Sequence, residues 1–134
     1  MIVSVNQITQ KKYNIPDVLD DTQNIQNFLY KNKGKKVIVV QGLGFVGAVM
    51  SLVCANALTE EYAVIGIDLA NENTYWKIQS INEGVFPLIA DDPKIIEFFD
   101  NAKTKGNFFA TYDQAAYKYA DVVIVDINLD VQKQ

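Results

Sequence analysis

Apolar residues fall into two kinds of run along this chain. Short continuous runs stand at "KVIVVQ" (36–41), "YAVIGID" (62–68), "NFFAT" (107–111) and "DVVIVDI" (121–127). Uninterrupted β-branched runs of this length are typical of strands buried on both faces. Between them the spacing changes to threes and fours: Val46, Val49, Met50, Val53 and Ala57, then Tyr75, Ile78 and Ile81, then Ile95, Ile96, Phe99 and Ala102. That period predicts helices, with the last set facing inward. Gly84 closes the second helix, Asp92 and Pro93 are a good cap and first residue for the third, and a short helix is predicted at about 113–119. Strand and helix thus alternate four times. Such a pattern predicts an α/β fold, a Rossmann-like doubly wound parallel sheet with helices on both faces in three α/β/α layers. A complete fold of that kind has six strands, so the expectation is a sheet truncated after its fourth strand, the opening part of a longer enzyme.

Before the first buried run the pattern is looser. "MIVSV" is readable as a short strand, and Pro16 ends whatever precedes it. From Asp17 to about Asn32, Ile25, Phe28 and Leu29 fall at helical spacing, with Asp20 and Asp21 suited to the N-terminal end and Gly34 to the exit. The expected organisation is an N-terminal extension over 1–34 carrying one amphipathic helix, followed by the Rossmann-like domain over 35–134.

Composition narrows the chemistry. In 134 residues, 49% are hydrophobic, enough for a sizeable core, and the net charge is −4, which argues against a nucleic-acid groove. Lys31, Lys33, Lys35 and Lys36 cluster, but they flank a helix end, where cations are favoured and solvated. With no histidine the commonest general base and metal ligand is missing, and with Cys54 alone no internal disulfide can form. The acid pairs Asp20–Asp21 and Asp91–Asp92 lack calcium-loop spacing, so no metal site is expected. No apolar stretch approaches a membrane span, and the first residues carry neither the basic start nor the long apolar region of a signal peptide. A cytoplasmic location without membrane contact is the default expectation.

The sharpest motif is the turn after the first buried strand. Gly42, Gly44 and Gly47 form G-x-G-x-x-G between a predicted strand and a predicted helix. Gly42 would allow the tight turn, Gly44 the approach of a pyrophosphate, and Gly47 close packing of helix on strand. The free N–H groups of Phe45, Val46 and Gly47 would face the phosphates, aided by the helix dipole. Asp68 ends the next strand, 21 residues after Gly47. An acid there accepts hydrogen bonds from the adenosine ribose and repels a 2′-phosphate. Leu69, Ala70 and Asn71 supply no cation to hold one, so NAD is favoured over NADP. The competing role for Asp68 is capping of the next helix. No Gly-Lys-Ser/Thr follows the turn, which excludes a P-loop.

Further motifs follow in order. "GLGFVG", "VIGIDLANENTYWKIQSINEGVFPL" and "FFATYDQAAYKYADVVIV" together resemble the N-terminal NAD-binding domain of the UDP-glucose/GDP-mannose dehydrogenases. Ile81, Asn82, Gly84 and Pro87 match the Asn-x-Gly-x-x-Pro segment, and Thr111, Asp113, Ala120 and Asp121 match Thr-x-Asp and Ala-Asp. The resemblance runs from Val37 to about Ile127. It implies oxidation of a nucleotide-sugar C6 alcohol to a carboxylate with two NAD reduced, through a cysteine nucleophile that forms a thiohemiacetal and then a thioester. In the family that cysteine, with its assisting lysine and asparagine, lies in a later domain. A nucleotide-sugar partner and pairing into a homo-oligomer through a central domain are implied for the longer protein. The chain departs from the pattern at Phe45, usually tyrosine, at Ala90–Asp91, and at Leu129, which takes the place of a threonine near the nicotinamide.

Remaining candidates cluster at the end of the last run. Asp126 is a carboxylate in an apolar strand and reads either as a contact to the nicotinamide ribose or as an acceptor for neighbouring loop N–H groups. Ile127 and Asn128 are placed to touch the cofactor beside it. Cys54 falls mid-helix and reads as a buried structural thiol, so no catalytic residue is expected in this chain. Phe98, Phe99, Phe108 and Phe109 read as core, as do Tyr75 and Trp76. Two rival functions fit the same cradle: a non-catalytic dinucleotide-sensing module, and the cofactor domain of another two-domain dehydrogenase.

Overall fold

A computed structural model of the chain describes residues 2–126. The main sheet has four parallel strands, β3 (Lys36–Gln41), β4 (Tyr62–Ile67), β5 (Phe108–Thr111) and β6 (Val122–Val125), in the order β5-β4-β3-β6. β3 pairs with β4 from Lys36↔Tyr62 to Gln41↔Ile67, and with β6 from Ile38↔Val122 to Gln41↔Val125. The chain order along the sheet therefore reverses between β3 and β6, and ligands bind at such a switch point in open α/β sheets.

Alternate residues of the strands feed two cores. Ile38, Val40, Val64 and Ala110 pack with residues of α2 (Phe45–Ala55), α3 (Tyr75–Glu83) and α4 (Pro93–Lys105). Val37, Val39, Ala63, Ile65 and Ile67 pack on the other face with Ile25 and Phe28 of α1 (Thr22–Lys31) and Ala116 of a short 3-10 helix (Gln114–Tyr119). The result is the three-layer, Rossmann-like arrangement expected from the sequence. Asp92 and Pro93 open α4, the Asp92 carboxylate accepting from Lys94 N–H, and Gly84 and Gly106 close α3 and α4 with left-handed φ of 87° and 69°.

Four sequence readings change. The Val46, Met50 and Val53 stripe of α2 faces outward, and the buried face is Gly47, Ala48, Ser51, Leu52 and Ala55. α2 is apolar all round, so its period could not tell inside from outside. Ile96 is likewise exposed on α4. β6 is not a buried strand: Val122, Val123 and Val125 are each nearly half exposed, because among the described residues β6 pairs only with β3. Finally, the N-terminal segment carries a hairpin, β1 (Val3–Val5) against β2 (Lys12–Asn14), besides its helix.

That hairpin leans on α3. The buried Ser4 hydroxyl donates to the Glu72 carbonyl (2.7 Å) and accepts from Trp76 N–H (3.0 Å). Lys11 and Tyr13 both reach the Glu83 carboxylate, at 2.8 and 2.6 Å. These two donors hold Glu83 below the usual carboxylate range, while burial, followed by the same hydrogen bond, pushes Tyr13 up to about 12.

α1 is clamped at its start to the tip of β5. The buried Thr111 hydroxyl donates to Asp21 Oδ2 (2.7 Å), and Asp113 Oδ2 accepts from Asp21 N–H (2.8 Å). Asp113 Oδ1 also caps the 3-10 helix through Ala115 N–H (2.9 Å). Thr111→Val keeps the volume and removes the donor to Asp21 Oδ2, which should destabilise the fold by roughly 2 kcal/mol, the scale of a hydrogen bond to a charged group. Urea unfolding would register this as a lower midpoint at unchanged slope; an unmoved midpoint would mean that the clamp does not hold α1.

Candidate functional site

The glycine turn is built from the bottom by one buried leucine. Gly42 continues the β3–β4 ladder, its N–H donating to the Ile67 carbonyl at 2.8 Å, and then turns with φ 101°. Leu43 follows and is fully buried. Its side chain fills the space above Gly66, where a Cβ would come within 2.4 Å of Leu43 Cδ2. A side chain at Gly66, in β4, would have to displace the buried Leu43 side chain from the turn, a pairing the sequence reading did not single out.

Gly47, the third residue of α2, is required by backbone and not by a side chain. A Cβ on Gly47 would lie 2.0 Å from the Gly42 carbonyl oxygen. Gly44 is different: nothing lies within 4 Å of its Cβ position, so this side of the turn is open. Gly44 is also the N-cap of α2, with no side chain closing the helix end and no acid in the first turn. The first-turn N–H groups of a helix have no intrahelical acceptor and carry the positive end of the dipole. Phe45 and Val46, both exposed, flank that end. An open approach at Gly44 next to free donors fits a pyrophosphate, so the residues present suit a dinucleotide.

Asp68 stands at the tip of β4 and is partly exposed. Its Oδ2 accepts from Leu43 N–H (2.9 Å) and its Oδ1 from Leu69 N–H (2.8 Å). It therefore ties the glycine turn to the neighbouring strand and does not cap α3, whose N-cap is Thr74. A carboxylate has about four lone-pair sites, so acceptor capacity remains for ribose hydroxyls. Leu69 beside it is exposed.

Asp126 closes β6 across the turn. Its N–H donates to the Gln41 carbonyl at 2.9 Å, and its Oδ2 lies 3.1 Å from the Cβ position of Gly47 and 3.7 Å from that of Gly42. The structure thus gathers Gly42, Gly44, Gly47, Asp68 and Asp126 around one end of the sheet. Ile127, Asn128 and Leu129 lie outside the described residues. Cys54 sits on α2, half-buried against the core, and burial pushes its thiol up, the wrong direction for a nucleophile.

Asn82 and Gly84, prominent in the sequence, do structural work. The Asn82 side chain pairs with the backbone of Ala110 in both directions, donating at 2.8 Å and accepting at 2.9 Å, and so completes the free edge of β5. The cavity beside them, about 380 Å³ between α3, α4 and β5, is lined in part by Phe108 and Gly106 at the start of β5, at the opposite end of that strand from Thr111. Among the described residues no cluster of side chains could hold a metal ion, and no helix is long and apolar enough to cross a membrane.

Comparison with known proteins agrees with this geometry. A family model, the NAD-binding domain of the UDP-glucose/GDP-mannose dehydrogenase family, matches residues 35–133. The chain belongs to the UDP-glucose/GDP-mannose dehydrogenase family. The matched domain of that family is the one that binds NAD, in line with the cofactor read from Asp68 and the glycines. No curated protein matches the chain by sequence. Among solved structures, the chain is similar to NDP-N-acetyl-D-galactosaminuronic acid dehydrogenase from Methanosarcina mazei Go1, at 26% identity and a TM-score of 0.64. That match covers 78% of this chain and 22% of the archaeal dehydrogenase, so the chain corresponds to about a fifth of its relative's length.

Proposed function

We propose that the chain is the cofactor-binding part of a nucleotide-sugar 6-dehydrogenase, which oxidises the C6 alcohol of a UDP- or GDP-sugar to the carboxylate with two NAD. The observation that carries this reading is the turn itself: open at Gly44, closed-packed at Gly47, and tied by Leu43 N–H to the acid at the neighbouring strand tip. In this reading the N–H groups of Phe45, Val46 and Gly47 hold the pyrophosphate, Asp68 orients the adenosine ribose, and Asp126 faces the nicotinamide half. Bound NAD supplies the hydride acceptor. The archaeal relative's name puts an amino-sugar nucleotide among the candidate substrates. Substrate contacts and the cysteine nucleophile belong to other domains of the enzyme, which works in the cytoplasm and pairs into a homo-oligomer. This chain binds cofactor and catalyses nothing alone.

Calorimetry with NAD and NADP tests the cofactor reading. NAD should bind with at least tenfold preference, about 1.4 kcal/mol, because Leu69, Ala70 and Asn71, which follow Asp68, offer no cation to a 2′-phosphate. Equal binding, or a preference for NADP, would remove Asp68 from the ribose role.

A further inference from the structure

The N-terminal segment reaches the carboxyl end of the sheet beside Asp68. The clamp of Asp21 on Thr111 and Asp113 fixes the chain just before α1, and so holds Leu19 next to the loop that follows β5. A cavity of about 290 Å³ opens there, lined by Leu19, Leu69, Ala70, Tyr112, Asp113 and Gln114. A second, of about 280 Å³, adjoins it and shares Leu19 and Ala70. Each is just under the usual range of small-ligand sites, roughly 300–1,000 Å³, a size for one nucleoside end and not a whole dinucleotide.

Its chemistry suits a purine. Leu19, Leu69 and Ala70 offer aliphatic surface and Tyr112 an aromatic ring, while Gln114 offers one donor and one acceptor for a heterocycle edge. Leu19 and Leu69 are 53% and 64% exposed in the free chain, so two apolar side chains stand uncovered at one cavity. Three carboxylates, Asp20, Asp21 and Asp113, lie near Tyr112; burial, then Asp21, Tyr75, Asp113 and Asp20, push its phenol up to about 12. A 2′-phosphate would meet carboxylates and no cation among the lining residues.

Resting on the dinucleotide reading above, we propose that the N-terminal segment is part of the cofactor site, with Leu19 and Leu69 forming apolar walls for the adenine ring. Leu19 then supplies one wall of the adenosine pocket, while Ile25 and Phe28 of α1 cover the sheet. Binding should couple the extension to the glycine turn, because Leu69 follows Asp68 directly and Asp68 holds Leu43 N–H.

The test compares ligands on the 134-residue chain and two variants, Leu19→Ala and Leu19→Met. Leu19→Ala removes part of an exposed side chain and should leave the melting temperature within about 2 °C. It should weaken NAD and ADP-ribose alike by about fivefold and leave nicotinamide mononucleotide, followed by ligand-observed NMR, unchanged. Leu19→Met should restore adenosine binding to within about twofold. Unchanged NAD and ADP-ribose affinity in Leu19→Ala would overturn the proposal, as would an equal loss for nicotinamide mononucleotide. If the unmodified chain bound neither NAD nor ADP-ribose, the dinucleotide reading itself would fall, and this inference with it.

Discussion

Gly47→Ala should both destabilise the domain and abolish cofactor binding. The added methyl would sit 2.0 Å from the Gly42 carbonyl oxygen, 2.9 Å from the Gly42 carbonyl carbon and 3.1 Å from Asp126 Oδ2. Backbone atoms cannot swing aside as a flexible side chain can, so the end of β3 and the start of α2 must separate by about 1 Å. Overpacking of this kind costs typically 1–3 kcal/mol and occasionally more. A backbone clash belongs at the upper end, against a total stability of about 5–15 kcal/mol. The melting temperature should fall by roughly 10 °C, and calorimetry should detect no NAD binding. Gly44→Ala is the partner experiment. Its Cβ meets nothing within 4 Å, and its φ of −67° and ψ of −174° suit alanine. The fold should be unaffected while NAD binding falls, because the methyl stands on the open side of the turn. Normal melting in Gly47→Ala, or full NAD affinity in Gly44→Ala, would refute this account of the cradle.

The contrast between those two glycines bears on how far the sequence could be read. The G-x-G-x-x-G string and its position between strand and helix were legible, because turn chemistry is local and leaves a fixed spacing. The alternation of runs gave the parallel three-layer sheet for the same reason. What could not be read was which partner makes each residue necessary. Leu43 looks like an ordinary turn residue until Gly66, on another strand, is seen to make room for it. Asn82 stands in the sequence only as a motif residue, and its side chain pairs with the β5 edge. Both depend on contacts between distant segments, which no local pattern encodes.

The misread surfaces have a related cause. α2 carries apolar residues on every side, its valines on the outward one, so hydrophobicity marked the helix without marking its face. β6 reads as buried because its residues are β-branched, yet Val122, Val123 and Val125 are nearly half exposed. An apolar run records what a strand is suited to pack against, and the described residues include only its β3 side. Only the first strand of the N-terminal hairpin was legible: "MIVSV" reads as a strand and holds β1, while β2, KYN, has no apolar alternation to betray it. Its place against α3 rests on Ser4, Lys11 and Tyr13, polar groups whose partners Glu72, Trp76 and Glu83 lie about 70 residues away.

Asp68→Ala should be the second large perturbation, and it separates the two tasks of one carboxylate. Its Oδ2 accepts from Leu43 N–H, and Leu43 is wholly buried. Without that oxygen the turn keeps a donor with no acceptor, at a cost of about 1–3 kcal/mol. The same substitution removes the acceptor for the ribose hydroxyls, and NAD affinity should fall by about a hundredfold, the loss of two charge-assisted hydrogen bonds. Asp68→Asn divides these effects. The amide keeps one oxygen for Leu43 N–H, so melting should stay within a few degrees of the parent. Its charge is gone and its acceptor capacity halved, so NAD should weaken about tenfold while NADP, no longer repelled, should hold or improve. Urea unfolding and calorimetry with NAD and NADP on the pair give six numbers. If Asp68→Asn loses as much stability as Asp68→Ala, the hydrogen bond to the turn is not what matters. If both variants keep NAD over NADP as strongly as the parent, selection against the 2′-phosphate lies elsewhere, and the carboxylates of Asp20, Asp21 and Asp113 around Tyr112 become its source.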